Sequence, residues 1–328
     1  MFCALNKRAV GLFFLSVFIL IFFIGCGQAV KRPEAVKLYV DAVEFRSSDA
    51  ESKAIASLRM ASQSDKEFSP AYSLLGDIYR DMKDYRSSAE AYAKATELNP
   101  WSFRDYFNLG RVYQFAKRFR QAVVAYLSAI ELKPEHIGAN FGAGQAYYQL
   151  NDYNNALAYG KRASRINPSL SEVQKFLGDV YESQGAYEEA VSSYKRALEI
   201  DSNDVNVMVA LAVVYLRTGR QSSSNELLRT ALKIQPENNT AYQYLGYSYL
   251  QLGEVDKAID SYKKAIEIKK EDWQAYRGLG VAYMLKGIKT RQKALKLAAV
   301  EYWRKSLEIN PKQARGEKLR RLIDKYSQ

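Results

Sequence analysis

The sequence holds few of the side chains that most often carry catalysis or bind metals. Its 328 residues include only two Cys and one His. Two Cys cannot form a disulfide framework or a four-ligand zinc site, and a single imidazole leaves no His pair for a metal. The chain has 48% apolar and 26% charged residues, together with 25 Tyr. This composition excludes a disordered or collagen-like chain and suffices for a buried core.

The amino-terminal segment has the pattern of an export signal. Lys7 and Arg8 precede an apolar run at residues 9–25 in which Ser16 is the one polar side chain. The positive-inside rule places Lys7 and Arg8 in the cytoplasm and the chain after Cys26 outside it. We therefore expect the rest of the protein to be exported.

The end of this run, Phe23-Ile24-Gly25-Cys26, resembles the lipobox of bacterial lipoproteins. The resemblance implies a lipoprotein-type signal peptide at 1–25, a short tether at 26–34 and membrane attachment through lipid on Cys26. Gly27 stands where an Asp would retain such a protein at the inner membrane. In an organism with two membranes we therefore expect the outer membrane, facing the periplasm. An uncleaved signal anchor is the alternative, because the 17 apolar residues fall only slightly short of the roughly 20 that span a bilayer.

From Ala35 onward the sequence repeats every 34 residues. The eleventh position is Tyr seven times in succession: Tyr79, Tyr113, Tyr147, Tyr181, Tyr215, Tyr249 and Tyr283. The twenty-seventh position is Ala seven times: Ala61, Ala95, Ala129, Ala163, Ala197, Ala231 and Ala265. Such a period is the signature of stacked supersecondary units.

The third repeat carries the most complete motif, which begins Tyr106-Phe107-Asn108-Leu109-Gly110-Arg111-Val112-Tyr113 and continues with Ala122, Tyr126, Ala129 and Pro134. This motif resembles the tetratricopeptide repeat (TPR) family. The resemblance implies an all-α fold, a right-handed α-solenoid of about eight TPR helix pairs with a C-terminal capping helix. The predicted repeats are 35–68, 69–102, 103–136, 137–170, 171–204, 205–238, 239–272 and 273–311, and the basic capping helix is 312–328.

Small residues at fixed repeat positions account for such helix pairs in physical terms. Ala at the twentieth and twenty-seventh positions lets two helices approach closely. The fifteenth position holds residues that accept the left-handed conformation ending a helix. These residues are Asn151, Gly185, Gly219, Gly253 and Gly287. One pair cannot bury its apolar face alone, so we expect neighbouring pairs to stack.

The eighth repeat departs from the period. Its first helix, predicted from Trp273 to Lys286, is followed by seven extra residues before Ala299 regains the register. Seven residues make about two helical turns, so we expect a helical extension or a longer turn rather than a functional loop. In the capping helix, four side chains are expected to pack inward: Leu319, Leu322, Ile323 and Tyr326.

The net charge of +12 is concentrated at one end. Residues 284–328 contain 13 Lys and Arg against four acids, which leaves the rest of the repeat array close to neutral. The candidate residues of this basic end are Lys293, Lys296, Arg315, Lys318, Arg320 and Arg321. They could contact anionic lipid, an acidic glycan or an acidic partner, or they could form a solubilising cap. Export argues against nucleic acid.

No arrangement in the sequence predicts an active site. His136 falls in a link between repeats without a second His or a Cys nearby, so a turn role is expected. Gly142-Ala143-Gly144 and Gly278-Leu279-Gly280 have the look of nucleotide loops, but they lie within predicted helices with no preceding strand. We expect no enzymatic activity, no metal and no cofactor.

In the TPR family, positions 2, 5, 9, 12 and 13 of the first helix face the concave side. The resemblance implies a partner-binding groove formed by Phe107, Arg111, Gln114, Phe141, Gln145, Tyr148, Lys175, Val213, Leu216, Tyr247, Leu250 and Arg277. This mixture of apolar and polar groups suits an extended peptide or a partner helix. The alternative is that some of these side chains pack between adjacent repeats. The carboxylate clamp of chaperone-binding members is absent, because Ser73 and Asp77 stand at its Lys and Asn positions.

The sequence therefore predicts a non-enzymatic protein–protein interaction scaffold, lipid-anchored in a bacterial cell envelope. The resemblance is to lipoproteins that assist the assembly of pilus secretins, outer-membrane proteins or cell wall. A membrane-surface or glycan-binding adaptor that uses the basic end is the alternative function.

Overall fold

The computed structural model describes residues 32–327, and in this range all regular secondary structure is α-helical. The predicted export signal and Cys26 lie outside the described residues. The chain divides between Ile166 and Asn167 into two compact units.

The first unit consists of consecutive helical hairpins. Its helices are α1 (32–47), α2 (Glu51–Ser64), α3 (Ser69–Asp81), α4 (Tyr85–Leu98), α5 (Phe103–Phe115), α6 (Phe119–Leu132), α7 (Ile137–Gln149) and α8 (Tyr153–Ile166). Helix α1 includes residues 32–34, three residues of the predicted tether.

The second unit continues the same pattern. Its helices are α9 (Ser171–Ser183), α10 (Tyr187–Ile200), α11 (Val205–Arg217), α12 (Gln221–Ile234), α13 (Asn239–Gln251), α14 (Val255–Ile268), α15 (Trp273–Lys289), α16 (Lys293–Ile309) and α17 (Gly316–Tyr326). Within each unit, a second helix contacts the first helix of its own hairpin and the first helix of the following hairpin. The predicted all-α repeat fold is confirmed.

Close packing at the predicted small positions holds the hairpins together. The Ala at the twenty-seventh position is fully buried in each of the seven repeats that carry it. Large side chains fill the remaining space, and Tyr92, Tyr126 and Tyr194 are among the largest that are fully or nearly fully buried. Burial of each large side chain contributes about 1.5–3 kcal/mol, so stacking rather than helix propensity stabilises the array.

The turns between helices use left-handed residues, with one correction to the prediction. Gly185, Gly219 and Gly253 have φ angles of 75°, 74° and 74°. The prediction is wrong for Gly287, which lies inside α15, and Arg291 takes the left-handed conformation with φ 58°. The longer helix moves the turn four residues along the chain. Gly287 instead permits close approach, because a Cβ there would lie 3.0 Å from the Lys296 backbone nitrogen.

The extra residues of the eighth repeat are helical. Helices α15 and α16 have 17 residues each, whereas α13 has 13 and α14 has 14. Four residues added to α15 and three to α16 account for the whole insertion. The expected helical extension is therefore confirmed, and there is no functional loop at this place in the described chain.

Helix α17 covers the end of the second unit. Its Leu319 and Ile323 are buried against Trp303 and Val300 of α16, and Leu322 and Tyr326 pack on the same cluster. Arg315 begins the helix in the left-handed conformation, with φ 65°. This packing places Arg315 and Lys318 in one cavity wall with residues of α15.

Candidate functional site

In the first unit, the groove candidates of α5 and α7 lie together. The Phe107 ring stacks on Phe103 with centroids 5.8 Å apart, and the Arg111 guanidinium lies 5.9 Å from the centre of the Phe107 ring. Further along this face, Gln114 Nε2 donates a hydrogen bond to Gln145 Oε1 at 3.1 Å. All four candidates are half-buried, so they pack and remain accessible at the same time.

A buried phenol orients the glutamine pair. The Tyr126 hydroxyl donates to Gln114 Oε1 at 2.8 Å. Burial raises the pKa of Tyr126, so this hydroxyl stays protonated and acts as a donor at neutral pH. The amide of Gln114 is thus held at both its oxygen and its nitrogen, which fixes the direction of the Gln145 amide.

The two other candidates of this unit, Phe141 and Tyr148, lie on α7 and are half-buried. The Tyr148 ring contacts Tyr153, with centroids 5.8 Å apart and an interplanar angle of 52°. The Tyr148 ring therefore packs within the fold and keeps accessible area.

The sequence pattern did not single out Asp77 as part of the polar network on this face. Asp77 is only 2% exposed, and it accepts hydrogen bonds from the Tyr92 hydroxyl at 2.6 Å and from Arg80 Nη1 at 3.0 Å. Arg104 of the next repeat also pairs with this carboxylate. The available signal was an acid at position 9 combined with Tyr at position 24, which Asp179 and Tyr194 repeat in the second unit.

In the second unit, Lys175 is held by its own helix. Its ammonium lies 2.7 Å from the Asp179 carboxylate, which also accepts from Tyr194. Val213 and Leu216 are half-buried on α11. These three candidates do not line the cavity described next.

Three further groove candidates, Tyr247, Leu250 and Arg277, line one cavity of about 740 Å³. Helices α13, α15 and α17 contribute most of its wall, and its volume lies within the range of about 300–1,000 Å³ typical of ligand pockets. Tyr247, Val281 and Leu285 are 47%, 37% and 43% exposed and supply much of its apolar surface.

The cations of the cavity come from both predicted sites. Arg277 belongs to the predicted groove, and Arg315 and Lys318 belong to the predicted basic end. The Arg277 guanidinium lies 5.0 Å from the centre of the Trp273 ring and donates to the Ala314 carbonyl at 3.4 Å. Burial lowers the pKa of Arg277, and Arg315 adds to this effect, but so strong a base stays charged.

The structure does not bring the six residues of the basic end together. Lys293 and Lys296 lie at the start of α16, whose 17 residues make it about 25 Å long, while the four Arg and Lys candidates of the cap follow its other end. Arg320 donates to the Pro311 carbonyl at 2.9 Å, and Arg321 is exposed.

His136 has a structural role. It is the N-cap of α7, and its Nδ1 accepts a hydrogen bond from the Ala139 N–H at 3.1 Å. Burial lowers the pKa of His136, and the charge of Lys133 lowers it further. A neutral imidazole with an unprotonated Nδ1 is the form that this cap requires.

Within residues 32–327, His, Cys, Asp and Glu form no group of three or more that could hold a metal ion. In the same range, each helix is too short or too polar to cross a bilayer.

Comparison with known proteins places these features in a family. A family model described as the C-terminal domain of cilia and flagella-associated protein 70 matches residues 47–279, which is more than half of the chain. The chain matches no curated protein.

Solved structures share the fold. A protein from Cytophaga hutchinsonii, described as the C-terminal part of a TPR repeat-containing protein, is 15% identical with a TM-score of 0.60, and the match covers 74% of this chain and 97% of that one. A tetratricopeptide repeat protein from Parabacteroides merdae is 17% identical with a TM-score of 0.58, covering 79% of this chain and 99% of that one.

A third structure, YrrB, is described as a TPR protein with an unusual peptide-binding site. It is 24% identical with a TM-score of 0.50, and the match covers 57% of this chain and 96% of that one. At these identities the likeness shows the fold.

Proposed function

The chain belongs to the family of the C-terminal domain of cilia and flagella-associated protein 70, a tetratricopeptide-repeat family, and we propose that it is a non-enzymatic scaffold that binds another protein or a peptide. The binding surface consists of the first-helix faces of each unit. The peptide-binding site named in the YrrB description supports this proposal, because the two proteins share the repeat fold.

One observation carries the proposal. Aromatic and polar side chains recur at equivalent positions of neighbouring first helices and are not sealed in the core, as Phe107, Arg111 and Gln145 illustrate in the first unit. Interfaces between proteins are enriched in this combination of aromatic residues and Arg. Covering such apolar area gives a hydrophobic contribution of about 25 cal/mol for each Å², from which the entropic costs of association are subtracted.

The cellular setting of the scaffold is a further part of the proposal. The basic and apolar leader and the lipobox-like end at Cys26 support export and a lipid anchor at a bacterial envelope membrane. At the outer membrane, facing the periplasm, the scaffold would assist the assembly of an envelope complex such as a pilus secretin, outer-membrane proteins or cell wall. An uncleaved anchor would leave the repeats on the same side of the membrane.

The test of the scaffold is chemical crosslinking in cells, followed by affinity capture of the full chain and identification of the crosslinked protein. A variant with Phe141→Ala and Tyr148→Ala is expected to recover at least tenfold less partner, because it removes two aromatic anchors from one face. Val124→Ala, at a residue that is 65% exposed on the second helix α6, is the matched control and should recover as much as the unmodified chain. Equal recovery by all three proteins, or no specific crosslinked protein at all, would contradict the proposal.

A further inference from the structure

The cavity between α13, α15 and α17 is lined by accessible apolar side chains and by three cations. We propose that it binds an acidic segment of a partner polypeptide in which apolar side chains alternate with Asp or Glu. This inference rests on the proposed scaffold function and specifies the chemistry of its partner in the second unit.

The apolar part of the site is accessible. Tyr247 is 47% exposed, Val281 37% and Leu285 43%. They lie with Leu250 and Leu322 in the same cavity wall. Monomeric proteins rarely leave a concave cluster of large apolar side chains uncovered without a binding role.

The charged part of the site is of one sign. Arg277, Arg315 and Lys318 line the cavity, and no Asp or Glu side chain lines it. Within the described chain, none of the three forms an ion pair with an acid side chain. Glu317, adjacent to Lys318 in sequence, is not part of the cavity wall. An acidic ligand would therefore meet cations that the fold itself leaves uncompensated.

The nearby acid Asp272 is already engaged. It is 1% exposed and accepts hydrogen bonds from the Asn239 and Gln243 side chains and from the Ala275 N–H. All of these donors belong to the fold, so Asp272 has a structural role. Arg277 in turn gives one hydrogen bond to a carbonyl and keeps most of its five N–H donors for a ligand.

The shape and the charge count favour a side-chain-rich peptide. The site is a cavity in which apolar and cationic groups are interleaved, whereas a bilayer surface would be met by exposed cations outside the cavity such as Arg321 and Lys325. The three cations also exceed what a single terminal carboxylate could neutralise. Alternating acidic and apolar side chains match both features of the wall.

The experiment is fluorescence anisotropy with the full chain in detergent. The probe is a fluorescein-labelled, C-terminally amidated octapeptide that alternates leucine and glutamate. Amidated peptides that alternate leucine with glutamine or with lysine are the ligand controls. The glutamate peptide is expected to bind at least tenfold more tightly than either control, with an affinity that falls as salt rises.

Two matched variants test the cations. Arg315→Gln combined with Lys318→Gln is expected to weaken binding of the glutamate peptide about tenfold. Arg321→Gln combined with Lys325→Gln removes the same charge from the same C-terminal segment outside the cavity and should change affinity less than twofold. Equal effects of the two pairs would overturn the proposal, because the attraction would then be a general property of the basic end.

Variants in α15 test the apolar side chains of the cavity. Val281→Ser with Leu285→Ser should weaken binding at least tenfold, whereas Ile288→Ser, at a residue that is 50% exposed on the same helix and outside the cavity, should leave it unchanged. Thermal unfolding of each variant within about 2 °C of the unmodified chain shows that the fold is kept.

Two further arms distinguish other ligands. Tight binding of the glutamine peptide with a free terminal carboxylate would contradict a side-chain acid as the ligand. A second outcome would contradict the peptide proposal in favour of a membrane surface. In that outcome the chain binds phosphatidylglycerol vesicles, the Arg321→Gln and Lys325→Gln variant does not, and no peptide binds. Partner capture that persists in cells with the cavity variants would refute this inference and leave the scaffold itself standing.

Discussion

Replacing Tyr92 with Phe is expected to destabilise the first unit more than the same replacement at Tyr126. The two residues occupy the same position of successive repeats, and their rings are 0% and 2% exposed. The change in ring burial therefore cancels between the variants. What differs is the hydrogen bonding of the hydroxyl: Tyr92 donates to the Asp77 carboxylate and accepts from Arg80 Nη1 at 3.2 Å, whereas Tyr126 donates to the Gln114 amide.

The magnitude follows from the charge and burial of the acceptor. The Tyr92 hydroxyl lies 2.6 Å from a carboxylate that is 2% exposed, so its loss should cost about 1.5–3 kcal/mol. The Tyr126 hydroxyl lies 2.8 Å from a neutral, half-buried amide, and its loss should cost about 0.5–1.5 kcal/mol. Burial and Asp77 raise the pKa of Tyr92, so the donor is present throughout the neutral range.

The assay is urea unfolding of the full chain followed by far-UV circular dichroism. Hydrogen exchange of α3 and α4 should locate the loss in Tyr92→Phe, and that of α5 and α6 should locate it in Tyr126→Phe. Equal losses in the two variants, or a larger loss for Tyr126→Phe, would refute the role assigned to the buried carboxylate.

Three other predictions concern the packing, the helix cap and the anchor. In Gly142→Ala, the added Cβ would lie 2.5 Å from Tyr126 Cζ. The overpacking should destabilise the fold by about 1–3 kcal/mol, which exceeds the gain of about 1 kcal/mol in helix propensity. Urea unfolding should show this loss, and should show that the same change is stabilising in a Tyr126→Leu background. Because the pKa of His136 is lowered in the folded state, its contribution to stability is present above its unfolded pKa and is lost as pH falls. The free energy of unfolding should therefore decrease between about pH 7.5 and pH 5.5. This decrease should be absent in His136→Asn, which keeps an N-cap acceptor. Cys26→Ser should release the protein from membranes and abolish palmitate labelling, and unchanged fractionation and labelling would contradict a lipid anchor.

The repeat period predicts most of the fold because each hairpin uses the same small residues at the same places. The alanines of the twenty-seventh position are buried as expected, and the turns at Gly185, Gly219 and Gly253 are left-handed. The period fails at Gly287, where the pattern predicts a turn but the helix continues. An insertion whose length matches whole helical turns leaves the apolar register intact, so spacing alone cannot show where it is absorbed.

The candidate site is less predictable because it depends on side chains from distant parts of the chain. Tyr247, Leu250 and Arg277, which the repeat positions select, line one cavity. The contribution of Arg315 and Lys318 depends on how α17 packs on α16, which no local pattern encodes.

Two polar contacts show the same division between local and distant information. The ion pair between Lys175 and Asp179 is predictable from the sequence, because residues four apart lie on the same face of a helix. The ion pair between Arg104 and Asp77 joins two repeats, so no spacing within one helix predicts it.

Site-specific photocrosslinking tests the scaffold most directly. A benzophenone amino acid at Tyr247, inside the cavity, is compared with the same amino acid at Asp260, an exposed residue of α14 outside it. Irradiation of cells should give one discrete adduct with another protein from the Tyr247 position and none from the Asp260 position. The absence of any adduct at Tyr247, or the same adducts at both positions, would contradict a scaffold that binds its partner on this face.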